Sequence, residues 1–461
     1  MNNIYHVIKD PVHGTMQFTS EEDAWVKPFI DSPHYQRLRH IKQMGMGDFI
    51  FPGAVHTRFN HCMGCCYVGS QIAHKIRLSD EERQLVMIAC LLHDIGHGPF
   101  SHAFEGIFYN KCIRHEAWTP YFLNDFKTSD FFQHYNRTNS KHPLNEEKFN
   151  EIANMIMHKP VKRRVLADIV SSQLDADRLD YLLRDSHFCG VQYGEFDSRW
   201  MLHCLAIVQS HDGERLGITH KGIGVVEHYL MARRLMIRNI YQLQKKLALE
   251  NLVIQLFANV ASSLEENNAY AQLRQSRLGQ FLLAANQFNR DIKDVSNIDE
   301  HRRRFLETNY PVYKELCDYD VFAMIRQLAE VSDGHPATQI AARVQQRVLP
   351  KTMRINFTDL EKATHLLNEF KAKHQKDFQD WQLVLIESPH RSYSSGGDDP
   401  ILVVNEHGEV NPIDKYSIMI DAISNKLEHI AFLSVDKMIA DDKRVTELMK
   451  SIAKHPVPVD V

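Results

Sequence analysis

The stretch LLHDIGHGPFSH at residues 91–102 decides the fold assignment of this chain. It places three histidines and one aspartate around two glycines and a proline, directly after the apolar run Leu85–Leu92. Ser79 and Glu82 form a capping box before this run, so the sequence predicts a helix that starts there. Because the run is apolar on every side, we expect that helix to be buried. Asp94, at the helix end, is costly in a protein interior unless it is paired or binds a metal.

Two further segments offer metal ligands on predicted helices. HTRFNHCMG (56–64) places His61 inside a second core helix, and LDADRLDYLLRD (174–185) places Asp177 on a third. With the histidine and aspartate of the first helix end, these residues would make a mixed nitrogen and oxygen site. Such a site neutralises a divalent ion and leaves coordination positions open for water and phosphate. Only the fold can bring four residues this far apart together, so their spacing does not prove the site.

A bare HD dipeptide carries little information, because the chain contains two. The second, His211-Asp212, lies within LAIVQSHDGERLGITHKG (205–222), which predicts a β-hairpin turning at Asp212-Gly213. We interpret this second dipeptide as a solvated turn. For Asp94 the alternative to a metal ligand is a salt-bridged helix end.

Composition limits the class of protein. The chain has 461 residues, 44% of them hydrophobic, and a formal net charge of −4, as in an ordinary globular protein of two or three domains. A polyanion would need a local basic patch, because no global positive field exists. The chain lacks a signal-peptide pattern and an apolar run of about 20 residues, so we expect a cytoplasmic protein without membrane contact. Cys62, Cys65 and Cys66 lack a second CxxC pair, so we interpret them as buried small side chains.

Periodicity divides the chain into two parts. Residues 1–310 predict a helical core, and residues 311–461 predict a smaller α+β portion that packs on the core and takes part in assembly. The fold class is therefore mostly α. The first part contains helical patterns at Val165–Arg184 and Val225–Leu249. The second part contains strand-like segments at 381–388 and 400–410.

The order of the motifs DPVHG, SPHYQRLRHIKQMG, FPGAVHTRFNHCMG, LLHDIGHGPFSH and LDADRLDYLLRD resembles the HD-domain deoxynucleoside triphosphate triphosphohydrolases. It looks most like the branch with the animal SAM-and-HD-domain enzyme and its bacterial homologues. The strong matches cover roughly residues 4–250. The resemblance implies a helical HD core and hydrolysis of deoxynucleoside triphosphates (dNTPs) at the α-phosphate, giving deoxynucleoside and inorganic triphosphate.

The resemblance also implies roles for individual residues. The implied ligands of one divalent ion (Mn, Fe, Zn, Ni or Mg) are His61, His93, Asp94 and Asp177. The implied catalytic residues, near the substrate phosphates, are His97, His102, His115 and Glu116. The implied substrate-binding residues, which contact phosphates, deoxyribose or base, are Gln43, Arg58, Arg178, Tyr181, Asp185, Arg233, Tyr241 and Gln242.

Some positions depart from the family pattern. Lys9 stands where an asparagine is typical, Thr15 where a histidine is common, and Ile237 where a polar residue is usual. The first two belong to the family's nucleotide-activator site, so a nucleotide activator and assembly into a dimer or tetramer stay hypotheses. Two other functions are open: a metal-dependent phosphodiesterase or exonuclease on single-stranded nucleic acid, and a non-catalytic nucleotide sensor. The acidic charge balance argues against strand binding.

Overall fold

A computed structural model describes residues 6–127, 130–265, 270–293, 298–391, 393–394 and 399–453. The chain is mostly α-helical, with short strands in three small sheets, which confirms the predicted fold class. None of the helices in the described residues is long and apolar enough to cross a bilayer.

The first half of the chain is mostly helical. Its helices are α1 (Ser20–Ile30), α2 (Pro33–Gln36), α3 (Arg58–Lys75), α4 (Asp80–Leu92), α5 (His102–Glu105), α6 (Thr119–Lys127), α7 (Phe131–Thr138), α8 (Glu146–Ile156), α9 (Arg164–Val170), α10 (Ala176–Cys189) and α11 (Ser198–Cys204). The later helices are α12 (Ile223–Met236), α13 (Gln244–Ser263), α14 (Ala271–Gln275), α15 (Arg277–Asp291), α16 (Ile298–Tyr313), α17 (Asp318–Ala329), α18 (Pro336–Gln345), α19 (Leu360–His374), α20 (Ile418–Ile423) and α21 (Lys443–Ile452).

The strands form three sheets. They are β1 (His6–Asp10), β2 (Gly14–Phe18), β3 (Leu205–Ser210), β4 (Gly213–Thr219), β5 (Lys351–Ile355), β6 (Leu383–Arg391), β7 (Leu402–Val404), β8 (Val410–Pro412) and β9 (Leu427–Val435). β1 and β2 make a hairpin, β3-β4-β7-β8 a mixed sheet with β7 parallel to β4, and β5-β9-β6 an antiparallel sheet. The hairpin predicted at 205–222 is confirmed, since Ser210 pairs with Gly213 across its turn.

The large hydrophobic core lies around α3 and α4. The side chains of Leu85–Leu92 are all buried, as predicted, and the capping box at Ser79 and Glu82 is present. α10 packs on α3, which brings the two helices that carry the predicted aspartate and histidine ligands side by side. A second, smaller core lies between the β5-β9-β6 sheet and the helices α19 and α21. The division at residue 310 stays a prediction.

The prediction of one continuous helix over Val165–Arg184 was wrong. The chain leaves the helix after α9 and starts α10 at Ala176. The Asp175 carboxylate accepts hydrogen bonds from the backbone N–H groups of Ser172 (2.8 Å) and Arg178 (2.7 Å). Because an aspartate that caps the next helix competes with the helical backbone pattern, it breaks the helix just before the predicted metal ligand.

The single helix predicted over Val225–Leu249 was also wrong. α12 ends at Met236, and one π-helical turn follows at Ile237–Tyr241 before α13 begins. Gln242 N–H donates to Ile237 O at 2.8 Å, which is the wider spacing of such a turn. The turn lets the Tyr241 hydroxyl donate to Asp185 at 2.8 Å, a contact between elements that periodicity does not report.

Candidate metal centre

The fold brings the four predicted metal ligands close together. His61 Nε2 lies 3.0 Å from Asp177 Oδ1 and 3.8 Å from Asp94 Oδ2. His93 Nε2 lies 3.6 Å from Asp94 Oδ1 and 3.6 Å from Asp177 Oδ1. α3 supplies the first histidine, the end of α4 the adjacent pair, and α10 the second aspartate. The two imidazoles and two carboxylates therefore converge.

His61 is held in one orientation by carboxylates on both sides. Its Nδ1–H donates to Asp180 Oδ2 at 2.8 Å, which leaves Nε2 facing the ligand cluster. Burial lowers the pKa of His61, but Asp177 and Asp180 outweigh burial and raise this pKa to about 10. Without an ion, a proton on this imidazole compensates the carboxylates, and a bound cation would take over that role.

His93 provides the test of whether an ion fits. Its Nδ1–H donates to Cys90 O at 2.8 Å, so in the neutral imidazole Nε2 carries the lone pair. That Nε2 is buried and has no hydrogen-bond partner within the part of the chain that the structure describes. A buried acceptor aimed at two carboxylates is what a divalent cation would satisfy, so the residues present fit a metal ion.

The two aspartates of the cluster are ionised. Burial raises the pKa of Asp94, but Arg58, His93 and His97 outweigh it and hold this pKa well below the ordinary value. Arg58 Nη1 donates to Asp94 Oδ2 in a close ion pair. The Asp177 side chain is one-third exposed, so the centre opens to solvent at this carboxylate.

Cys65 is a ligand candidate that we did not predict from the sequence. Its Sγ lies 3.5 Å from both ring nitrogens of His61, within the same cluster as His93 and Asp177. Burial raises the pKa of its thiol well above the ordinary value, and Asp180 and Asp177 add to that shift. The thiol is therefore neutral beside two charged carboxylates, which are the stronger ligands for a hard cation.

Next to the metal ligands lies a group of histidines with one buried glutamate. His97 Nε2 donates to Asp94 Oδ1 at 3.3 Å, and its ring stacks on His115 with centroids 3.5 Å apart. His115 Nδ1–H donates to Glu105 Oε1 at 2.7 Å. His102, with a side chain 67% exposed, lies at the rim, 5.2 Å from the His97 ring.

Glu105 rather than the predicted Glu116 is the close partner of His115. Glu116 Oε2 lies 3.4 Å from His115 Nδ1, and its side chain is 53% exposed. Burial raises the pKa of Glu105, but His102 and His115 lower it far below the ordinary value, so its carboxylate is ionised. The spacing His102-x-x-Glu105, which puts both side chains on one helix face, is the sequence signal that we missed.

The loop between these histidines is strained and braced. Phe100 and Ser101 adopt left-handed conformations, with φ of 53° and 54°, that are unfavourable for non-glycine residues. Asp318 Oδ1 accepts from the Phe100 N–H at 2.8 Å. Ser101 Oγ donates to Lys42 O at 3.0 Å and accepts from Arg58 Nε at 3.0 Å. These contacts fix the loop and the arginine beside the metal ligands.

On the α10 side, three predicted substrate residues lie together. Asp185 accepts from the Tyr241 hydroxyl at 2.8 Å and from His56 Nε2 at 2.7 Å. The rings of Tyr181 and Tyr241 lie 6.0 Å apart, and Tyr181 lies 6.5 Å from the His61 ring. His56 is buried and was not predicted.

Several predicted binding residues retain buried polar atoms without partners among the described residues. These atoms are Gln43 Oε1, Arg178 Nε and Arg233 Nε. Arg178 is otherwise tied to Asp175 and to Ser172 O, and Arg233 Nη1 donates to Gln173 Oε1 at 3.0 Å. Unsatisfied buried donors and acceptors require an explanation, and a bound polar ligand is one.

Gln242 is placed differently from the other predicted residues. Its Nε2 donates to Ser388 O (3.1 Å) and Oγ (2.8 Å) on β6. It lines a cavity of about 360 Å³ against the C-terminal sheet, together with Arg238, Arg354 and His390. Its amide nitrogen is therefore turned toward the C-terminal sheet.

Comparisons with known proteins agree with this geometry. Residues 58–185 match the HD domain family. The chain is 35% identical over 241 residues to the uncharacterized protein YwfO of Bacillus subtilis, covering 51% of each protein. It is 25% identical over 347 residues to the deoxynucleoside triphosphate triphosphohydrolase SAMHD1 of Homo sapiens, covering 65% of this chain and 54% of that protein.

A solved structure extends the similarity to nearly the whole chain. A phosphohydrolase from Bacteroides thetaiotaomicron superposes with a TM-score of 0.70 at 25% identity, over 94% of this chain and 100% of that one. The chain spans about half the length of the curated relatives it matches. The chain therefore contains an HD domain at residues 58–185, and its relatives include deoxynucleoside triphosphate triphosphohydrolases.

Proposed function

We propose that this protein is a metal-dependent dNTP triphosphohydrolase that cleaves the bond between the α-phosphorus and the 5′-oxygen. The observation that carries the proposal is the convergence of His61, His93, Asp94 and Asp177, with His93 Nε2 buried and lacking a partner in the described chain. The name of the human relative, a deoxynucleoside triphosphate triphosphohydrolase, supports this substrate class.

The four ligand side chains would hold one divalent ion. When bound, such an ion supplies Lewis-acid activation of the phosphate and of the attacking water. Arg58 pairs with Asp94, and Arg178 follows Asp177 on α10, so their guanidinium groups can share the remaining charge of the triphosphate. Phosphoryl transfer depends mainly on such charge stabilisation and on placement of the reacting atoms.

In this proposal His115 delivers a proton. Because the ionised Glu105 accepts from Nδ1–H, the imidazole is fixed and Nε2 is its free nitrogen. Water adds its oxygen to the α-phosphorus as the bond to the 5′-oxygen breaks, and the 5′-oxygen takes the proton that the protonated His115 ring carries on Nε2. The proton lost by the attacking water passes to solvent, from which His115 is protonated again. The products are a deoxynucleoside and inorganic triphosphate.

The α10 side supports selection of a deoxyribose. Tyr181 presents a ring close to His61, where it can pack against the C2′ side of the sugar and crowd a 2′-hydroxyl. Asp185, held by His56 and Tyr241, offers carboxylate oxygens to a sugar hydroxyl. A site that excludes one hydroxyl by shape and binds another by hydrogen bonding discriminates by differential affinity.

Product analysis tests the proposal. Protein loaded with Mn²⁺ is incubated separately with each dNTP, with GTP and with a short single-stranded DNA, and the products are separated. We expect deoxynucleoside and triphosphate from at least one dNTP and slower turnover of GTP. Mononucleotides released from DNA, without dNTP turnover, would instead show a nuclease.

The family resemblance also predicts assembly into an oligomer and activation by a nucleotide. We expect a homo-oligomer, dimer or tetramer, whose mass is measured by light scattering with and without dNTPs. If hydrolysis of one dNTP is insensitive to every second nucleotide, an activator is not required.

A further inference from the structure

The motif DPVHG at residues 10–14 has no role in the chemistry above, yet its turn reaches the metal centre. It connects β1 to β2, and His13 Nε2 donates to Asp180 Oδ1 at 2.6 Å. Asp180, on α10, is the same carboxylate that accepts from His61 Nδ1 at 2.8 Å. One buried carboxylate therefore joins the N-terminal hairpin to a predicted metal ligand.

Asp180 accepts four hydrogen bonds. Besides the two histidines, Arg184 donates to it through Nε (2.8 Å) and Nη2 (2.9 Å). The side chain of Asp180 is fully buried, and that of Arg184 is as well. Two oxygens that each accept two bonds leave the carboxylate no rotational freedom, so every donor helps to fix its position.

The turn is closed by a second contact of the same arginine. Arg184 Nη1 donates to Asp10 Oδ2 at 2.9 Å, and Asp10 Oδ1 accepts from the backbone N–H groups of Val12 and His13, both at 2.9 Å. Asp10 thus shapes the turn that presents His13. The ring of contacts runs from Asp10 through Arg184 to Asp180 and back through His13.

Glycine at position 64 makes the approach of α3 to this network possible. A Cβ at Gly64 would lie 1.8 Å from Asp180 Oδ1 and 2.5 Å from Arg184 Nη2. Both contacts are far closer than real atoms approach. The sequence of α3 therefore keeps a space, three residues after His61, that the carboxylate and the guanidinium fill.

We propose that the DPVHG turn is part of the metal centre, and that His13 is a positioning residue that acts on the metal ligand His61 through Asp180. The inference rests on the proposed function, since it assumes that His61 binds the ion. A histidine ligand needs its second nitrogen bound to a fixed acceptor, and loss of such a partner weakens metal binding by about 10–100-fold in proteins. The hairpin supplies one of the four donors that fix this acceptor.

The experiment compares His13→Ala, His13→Gln and Asp180→Asn with a matched control. Glutamine can donate from an amide nitrogen at the position of the imidazole Nε2, whereas alanine cannot. Asparagine at 180 presents one oxygen and one amide nitrogen to donors on both sides. The control is His74→Ala. His74 lies on α3, as His61 does, and its Nε2 lies 2.6 Å from Glu22 Oε1, the same distance as from His13 to Asp180, but away from the metal ligands.

The readouts are the affinity for Co²⁺ and Mn²⁺ by calorimetry, the visible spectrum of the Co²⁺-loaded protein, and the Tm of the metal-free protein. We expect Asp180→Asn to weaken Co²⁺ binding by about 10–100-fold and His13→Ala by about tenfold, the low end of that range. His13→Gln should bind within about threefold of wild type. His74→Ala should lower Tm and leave both affinity and spectrum unchanged.

The outcomes separate this inference from the proposed function. If wild type binds the metal and His13→Ala binds it equally well with an unchanged Co²⁺ spectrum, the inference is overturned and the proposed function stands. The same holds if His74→Ala weakens metal binding as much as His13→Ala, because the effect is then general destabilisation. If wild type itself binds neither ion, the proposed metal site fails.

Discussion

The two HD dipeptides of this chain have the same side chains and opposite surroundings. His93-Asp94 follows the buried helix α4, and Asp94 is 7% exposed and paired with Arg58. His211-Asp212 forms the turn between β3 and β4, where both residues are exposed. Asp212 pairs with the partly exposed Arg164 at 2.6 Å and with the buried Arg215 at 3.3 Å.

This difference shows that the dipeptide itself carries no function. At the turn, one partly exposed and one buried arginine pair with the carboxylate, and the His211 ring contacts the neighbouring Ser210 hydroxyl. At the end of α4, burial removes water, and the remaining partners are an arginine, two more histidines and a second aspartate. Uncompensated charges are costly in such a buried place, so the carboxylates of the cluster are paired with the arginine and the histidines.

Neutralising the aspartate of each dipeptide in turn tests the difference between them most directly. Asp94→Asn removes one negative ligand, so we expect kcat for dNTP hydrolysis to fall by about 10²–10³-fold or more and Mn²⁺ binding to weaken. Asp212→Asn should leave both unchanged. Steady-state rates and calorimetry measure these effects, and Tm checks the fold because Arg58 loses its partner. Wild-type metal affinity in Asp94→Asn would disprove its assignment as a ligand.

Replacing each of the two glutamates near His115 with glutamine tests which one is the partner of this histidine. Glu105→Gln removes the ionised acceptor that orients the imidazole, so we expect kcat to fall by roughly 10²-fold with little change in KM. Glu116→Gln removes an exposed carboxylate and should change kcat by less than about twofold. Steady-state kinetics with one dNTP distinguishes them. Equal losses in the two variants would contradict the assignment of Glu105 as the partner.

A third prediction concerns Asp318, which braces the loop after the first dipeptide. Burial raises the pKa of Asp318 to about 6. Hydrogen bonds from the backbone N–H groups of Lys42 and Phe100 lower this pKa, but burial outweighs them. The folded state therefore holds this proton more tightly than the unfolded state, whose carboxyl has a pKa of about 3.9. Consequently, the contribution of Asp318 to the free energy of unfolding decreases as pH rises from about 4 to 6, by up to about 3 kcal/mol, and is constant above.

Asp318→Asn isolates this contribution because the amide does not titrate. We expect the variant to be less stable, with the largest deficit relative to wild type near pH 4 and the smallest above pH 6. Urea unfolding of both proteins at pH 4, 5, 6 and 7 gives the difference at each pH. A deficit that grows with pH would reverse the sign and show that the carboxylate is stabilised in the folded state.

The smallest effect is expected at the surface dipeptide. Asp212→Asn weakens ion pairs with the partly exposed Arg164 and with Arg215, and Arg215 keeps Asp168 and Asp399 as partners, so the free energy of unfolding should fall by less than about 1 kcal/mol. Salt should reduce this difference further, because it screens surface charges. Urea unfolding at low and high salt measures it. A loss of several kcal/mol would show that the turn is structurally essential and that the contrast with Asp94 is overstated.

Much of the fold could be predicted from local patterns. The capping box at Ser79 and the apolar run after it predicted α4 and its burial, and the alternating segment at 205–222 predicted the β3-β4 hairpin. The predictions failed where a side chain contacts another element. Asp175 breaks a helix to cap the next one, and Tyr241 lies on a π-helical turn and contacts Asp185.

The sequence by itself determined the residue types of the site and the helices that carry them, because a helical period and a cap act within a few residues. Only the tertiary structure decided which groups meet. It paired His115 with Glu105 instead of the neighbouring Glu116, and it placed Asp180 between His61 and His13. Asp180 lies more than a hundred positions from His61 and His13, and these contacts depend on how α3, α10 and the N-terminal hairpin pack. His115 follows Glu105 across a segment that is not one continuous helix, so a helical period does not report their contact either.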